Sequence, residues 1–142
     1  MSIVLDASMA LAWHFGRQDP LEDSLASKCL VEIGVHSALV PALWFSEISN
    51  GVLIGERRRV ATEAQTHAYL EALSRLALSV DAPSQGTFQP AILALARVHN
   101  LTAYDATYLE LAVRRASALA TFDRKLAEAC RKAKVPVFGD QP

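Results

Sequence analysis

Short, mostly apolar runs alternate along this chain with longer stretches in which apolar residues recur every three or four positions. Ile3 to Leu5, Ser37 to Val40, Leu78 to Val80, Ala118 to Thr121 and Val135 to Phe138 are the short runs. Each has the length of a buried strand. Leu21, Leu25, Cys29 with Leu30, and Ile33 keep helical spacing until Gly34, which is expected to stop that helix. Trp44, Ile48, Leu53 and Ile54 mark a second helix over Trp44 to Arg58. Thr62 is placed to cap a third, through Leu76, and Ser8 to cap a short one ending near Phe15. Phe88 to His99, Tyr104 to Arg115 and Arg124 to Lys134 complete the helical stretches, with loops at Gly16 to Pro20 and Pro83 to Gly86.

Strands alternating with helices predict an α/β fold: a central parallel sheet of about five strands, flanked by helices on both faces. Right-handed crossovers bring the loops that follow the strands to one edge of such a sheet, where ligands bind. With 142 residues and no repeat, linker or low-complexity segment, residues 1–142 are expected to form a single domain.

Composition narrows the class. At 51% hydrophobic and 20% charged residues the chain can build a real core, yet no segment reaches the roughly 20 apolar residues that span a bilayer. The first strand starts almost at once, without the basic start and longer apolar stretch of a secretory signal. A soluble, cytoplasmic protein is expected. Cys29 and Cys130 lie in separate helical patterns and read as small core residues, offering neither a disulfide framework nor zinc spacing. The histidines (His14, His36, His67, His99) are scattered and form no metal motif. A net charge of −1 argues against a general nucleic-acid coat protein. Basic residues nevertheless bunch at Arg57-Arg58-Arg59, Arg114-Arg115, Arg124-Lys125 and Arg131-Lys132 with Lys134. They can complement helix dipoles or contact phosphate.

The candidate chemistry is acidic. Asp6 and Asp123 directly follow strand-like runs, so both are expected at the carboxyl edge of the sheet. Glu47 is expected in the first turn of its helix, with Asn50 three residues on and on the same face. Asp105 opens the helix from Tyr104. Taken singly, each acid has an ordinary reading as a cap, a dipole-complementing charge or a solvated helix residue. Their joint occurrence around one expected crevice weakens those readings, because carboxylates are rarely buried unless paired or metal-bound.

Together IVLDASMALAW, VPALWFSEISNGVL, LTAYDATYLELAVRR and LATFDRKLAEACRKAKVPVF form an ordered set of motifs. The set resembles the PIN-domain ribonucleases, and specifically the VapC-type toxins of type II toxin–antitoxin systems, over nearly the whole chain. The resemblance implies a PIN-like three-layer fold. It also implies an acidic pocket of Asp6, Glu47, Asp105 and Asp123, with Asp6 and Asp105 the direct magnesium ligands. Glu47 and Asp123 would complete a second position or act through water. Ser8, Asn50 and Thr121 match its polar support positions. Arg115-Ala116-Ser117-Ala118 departs from it, since the family often has a Gly-containing turn there.

The implied function is that of a magnesium-dependent endoribonuclease, with manganese able to substitute. The implied partners are an RNA substrate, a small antitoxin whose Arg or Lys enters the acidic pocket, and a second copy of the chain. Trp13 and Trp44 are candidates for the apolar surface beside the crevice. For the homodimer the candidates are Trp44, Phe45, Leu53, Ile54, Tyr69, Leu70 and Leu73. The residue types suit this chemistry, because hard divalent cations prefer oxygen ligands and phosphoryl chemistry needs positioning and charge neutralisation more than a protein nucleophile.

Rival readings are a phosphoacceptor receiver module, for which Asp81 would have to serve as the acceptor, and a catalytically inactive PIN-like protein. A haloacid-type phosphatase would want a second Asp where Ser8 stands, and no P-loop is present.

Overall fold

The computed structural model describes residues 2–141. Four strands and seven helices follow one another in these residues: β1 (Ser2–Leu5), α1 (Ala7–Phe15), α2 (Pro20–Val35), β2 (Ser37–Val40), α3 (Leu43–Arg57), α4 (Glu63–Ser74), β3 (Leu78–Val80), α5 (Phe88–His99), α6 (Ala103–Arg114), β4 (Ala118–Ala120) and α7 (Arg124–Lys132). The sheet is wholly parallel, in the order β3-β2-β1-β4. Ile3, Val4 and Leu5 are all buried, as are Ala38, Leu39 and Val40. Consecutive strand residues point to opposite faces, so β1 and β2 are covered on both sides.

The expected fifth strand is absent. Val135 to Phe138 contributes only an isolated parallel bridge between Val137 and Leu119. Leu119 donates to the Pro136 carbonyl and Phe138 donates back to Leu119, but Pro136 has no N–H with which to extend the ladder.

Several helix boundaries also shift. Helix α2 runs through Gly34 to Val35, where His36 N–H closes it on the Glu32 carbonyl; one interior glycine costs only about 1 kcal/mol. Because α3 begins at Leu43, Glu47 sits in its second turn rather than its first. The Thr62 cap forms as expected and is completed by Gln65 into a reciprocal capping box.

Two features of this framework position the site. The chain moves from β1 outward to β2 and β3, then returns past β1 to β4. The strand order therefore reverses between β1 and β4, which places a crevice at their carboxyl ends. The second feature is the close packing of α1 on α3. A Cβ at Gly51 would collide with Leu11, and one at Gly55 with the Phe15 ring. Glu47 stands one turn before Gly51 on the same helix, and Asp6 immediately precedes α1. The two glycines thus let the elements bearing Asp6 and Glu47 approach.

Candidate active site

Asp6 lies at the end of β1, where its N–H donates to the Ala120 carbonyl of the neighbouring strand at 3.0 Å. It is only 6% exposed. Its Oδ2 accepts the hydroxyls of Ser8 and Thr121, each at 2.6 Å. Those hydroxyls in turn hold the turn after β4: Ser8 Oγ accepts the Phe122 N–H and Thr121 Oγ1 accepts the Asp123 N–H, both at 2.9 Å. Ser8 is therefore not the cap of α1, because Asp6 occupies the N-cap position and Ser8 spends its proton on the Asp6 carboxylate. Asp123 caps α7 through its Oδ1, which accepts the Leu126 N–H. Its capping and its place in the crevice coexist.

Glu47 reaches the crevice from α3, and its Oε1 accepts the Tyr108 hydroxyl at 2.5 Å. Asp105 stands in the first turn of α6, with its N–H held by the Thr102 cap. Asn50 is exposed on α3 and makes no side-chain hydrogen bond among the described residues, so it stands apart from the network that joins Ser8, Thr121 and Asp6.

Like charge links the acids pairwise: Asp123 acts on Asp6 and Asp105, and Asp6 and Asp105 act on Glu47. Burial pushes the Asp6 carboxyl up; its two hydroxyl donors oppose this and the Asp123 charge adds to it. Burial also raises Glu47, against the Tyr108 hydrogen bond and with further upward pushes from Asp6 and Asp105. Asp105 is pushed up to about 6, first by burial and then by Asp123 and Asp6, with Thr102 and Lys125 acting the other way. The fully buried Tyr108 hydroxyl is pushed well above its usual range by burial and by the Glu47 hydrogen bond. It is a fixed donor at any ordinary pH. Desolvation and like-charge repulsion both raise these carboxyls, and a cation placed among them would relieve both.

Among the described residues, no three His, Cys, Asp or Glu side chains gather tightly enough to cage an ion unaided. The donor set still suits magnesium, which keeps several waters and is commonly held by one or two carboxylates together with substrate phosphate. All four donors are hard oxygens, and burial of Asp6 excludes competing water from one side.

Tyr108 belongs to no candidate set in the sequence; its one signal there is its place three residues after Asp105, on a shared helix face. Also unforeseen was a second acidic pair: Asp81 and Glu110, both buried, are bridged by Arg114. Arg114, though partly exposed in the last turn of α6, is thus engaged by two carboxylates rather than free for phosphate. Arg131 is likewise taken up, by Asp140, and Lys132 by Glu128. Arg124 and Lys125 stand exposed directly after Asp123. Trp44 is buried in the core and offers no surface beside the crevice. Cys29 and Cys130 are free and buried, as expected. No helix among the described residues is long and apolar enough to cross a membrane.

The PIN domain family model matches residues 3–132. No relative among curated proteins matches the sequence. Two solved structures are similar in fold. One is PAE2754 from Pyrobaculum aerophilum, at 21% identity and a TM-score of 0.66, covering 91% of this chain and 84% of that one. The other is FitAcB from Neisseria gonorrhoeae, at 19% identity and a TM-score of 0.61, covering 98% of this chain and 97% of that one. This chain belongs to the PIN domain family, whose members are generally nucleases that use divalent metals.

Proposed function

We propose that this PIN-domain chain is a magnesium-dependent endoribonuclease and the toxin of a type II toxin–antitoxin pair, of the VapC type, working as one domain in the cytoplasm. The observation that carries the reading is the group of four carboxylates at the β1/β4 switch point, three of them pushed toward protonation by burial and by one another. Asp6 and Asp105 would hold the cation, with Mn2+ able to replace Mg2+, and Glu47 and Asp123 would act through water or at a second position. Bound there, the ion would offset charge on the scissile phosphate and acidify a water for in-line attack. Ser8 and Thr121 fix the Asp6 carboxylate by two hydroxyls on one oxygen. Asn50, exposed on α3, is free to meet substrate.

Arg124 and Lys125 are placed to meet the phosphates of an RNA strand, whose charge needs such partners. An antitoxin Arg or Lys would be drawn to the same four acids by charge-assisted pairing. The proposed homodimer uses Phe45, Leu53, Ile54 and Leu70, which are 37–47% exposed. Trp44, Tyr69 and Leu73 are buried and belong to the core instead. The receiver reading meets an obstacle at Asp81, whose carboxylate is buried and engaged by both nitrogens of the Arg114 fork.

Purified protein incubated with total RNA and with plasmid DNA, with Mg2+ or with excess chelator, tests the reading. Metal-dependent RNA cleavage that is lost in Asp6→Asn is expected. Cleavage in chelator, or preferential cutting of DNA, overturns it. Growth arrest on expression, relieved by co-expressing an adjacent small reading frame, tests the toxin assignment. Light scattering at micromolar concentration tests the dimer.

A further inference from the structure

We infer that Tyr108 is a positioning residue for the acidic crevice: its hydroxyl holds Glu47 in the orientation in which Glu47 serves a bound divalent cation. The inference rests on the metal-dependent reading above and deepens it. The Tyr108 ring is fully buried, so the hydroxyl cannot turn away without unpacking α6 from the core. It donates to Glu47 Oε1 at 2.5 Å, a length typical of a charge-assisted O–H···O bond. Among the described residues, Glu47 Oε2 accepts no hydrogen bond, which leaves it to the crevice.

Geometry explains why such a residue is needed. Asp6 has a short side chain, sits on a strand end and is fixed by two hydroxyls. Glu47 has one more rotatable bond and comes from a helix, half-buried at the crevice wall. Without a donor it would sample several rotamers. Tyr108 lies one turn beyond Asp105 on α6, so one rigid helix places Asp105 directly and Glu47 through a hydrogen bond across to α3. Partners that orient a ligating group in this way typically change metal affinity by about 10–100-fold when removed.

The test is Mn2+ binding by calorimetry, with no substrate present, on wild type, Tyr108→Phe, Glu47→Gln, the double variant and Asp6→Asn. Phe keeps the ring in its buried site. Mn2+ affinity should fall about tenfold in Tyr108→Phe, while in the Glu47→Gln background the same change should make little further difference. A merely structural tyrosine would lower Tm without moving affinity at a temperature where the variant is folded. Unchanged affinity in Tyr108→Phe, or an equal loss with and without Glu47, overturns the inference alone. If wild type binds no Mn2+, or Asp6→Asn binds it equally well, the metal-dependent reading fails and this one with it. A second measurement needs no variant: the Tyr108 hydroxyl proton resonance should shift on Mg2+ addition with the midpoint of metal binding, and a resonance that stays in place under saturating Mg2+ overturns the inference.

Discussion

Helix α6 carries two groups of acids at its two ends, and they are solved in opposite ways. Near its end, Glu110 lies beside Asp81 from the loop after β3, and Arg114 joins them with four hydrogen bonds. At its start, Asp105 joins Asp6, Glu47 and Asp123, where Lys125 is the weakest of the influences on Asp105 and the hydroxyls of Ser8, Thr121 and Tyr108 supply dipoles rather than charge. The Arg114 guanidinium is held above its ordinary range by the Glu110 and Asp81 hydrogen bonds, and Arg115 stands 3.8 Å from Asp81, so the first group carries its own cations. The second is organised but left short of positive charge. Carboxylates with a built-in cation hold a helix in place; half-buried carboxylates without one would gain most from a cation supplied from outside.

The sharpest way to break this contrast is to remove the built-in Arg114 cation. Arg114→Ala strips Glu110 of its partner and leaves Asp81 only Arg115, at 3.8 Å; because the Arg114 side chain is 37% exposed, the loss should fall at the low end for a buried pair, about 3 kcal/mol. Urea unfolding measures it, and a loss below about 1 kcal/mol would mean that water already screens the cluster.

The next largest effect belongs to the other group. Asp6→Asn should cut turnover at least about 100-fold, equivalent to about 2.7 kcal/mol. Thermal unfolding of the same variant should show no loss of Tm, because the amide oxygen can still accept from Ser8 and Thr121. A large fall in Tm would make Asp6 a structural residue.

Acidity separates the two groups more gently. Asp105 holds its proton up to about 6 when folded, against a usual value of 3.8. Between those values the native state binds more protons than the unfolded chain, so this contribution to stability is full below about 4 and is lost as pH rises through 6. Asp6 and Glu47 are shifted in the same direction. After allowance for its half-exposed position, Asp105 should account for about 1 kcal/mol, or about 2–4 °C in Tm of the metal-free protein. Asp105→Asn should flatten that slope. Added Mg2+ should raise Tm more at pH 7.5 than at pH 5, and equal Mg2+ effects at both values would count against the acids as its site.

The smallest effect lies two residues beyond Arg114. Ala116 holds a positive φ of 49° in the turn from α6 into β4, a conformation that costs a non-glycine residue about 1 kcal/mol. Ala116→Gly should therefore stabilise the protein by up to about 1 kcal/mol, measured by urea unfolding, without changing turnover. The family resemblance located this departure from a Gly-containing turn; the backbone shows why glycine belongs there.

Much of the fold and part of the site were legible in the residue pattern alone. Mostly apolar runs of three or four residues matched four of the five expected strands; β1, β2 and β4 are the buried ones, as a sheet covered on both faces requires, while the edge strand β3 carries an exposed Ser79 and Val80. Helical spacing marks Phe88–His99 to the residue, and the alternation of elements places Asp6 just after β1 and Asp123 between β4 and α7. Only the tertiary structure decided the remainder. Val135 to Phe138 has the pattern of a strand, but Pro136 cannot donate and the ladder stops at a bridge. Trp44 and Phe45 are equally apolar neighbours, yet one is 2% and the other 47% exposed, because the helix surface between them turns from core to solvent. Tyr108 meets Glu47 across 61 residues and Arg114 meets Asp81 across 33. Spacing rules reach only a turn or two along one element. Which charge is neutralised and which left open depends on side chains that the folded chain alone brings together.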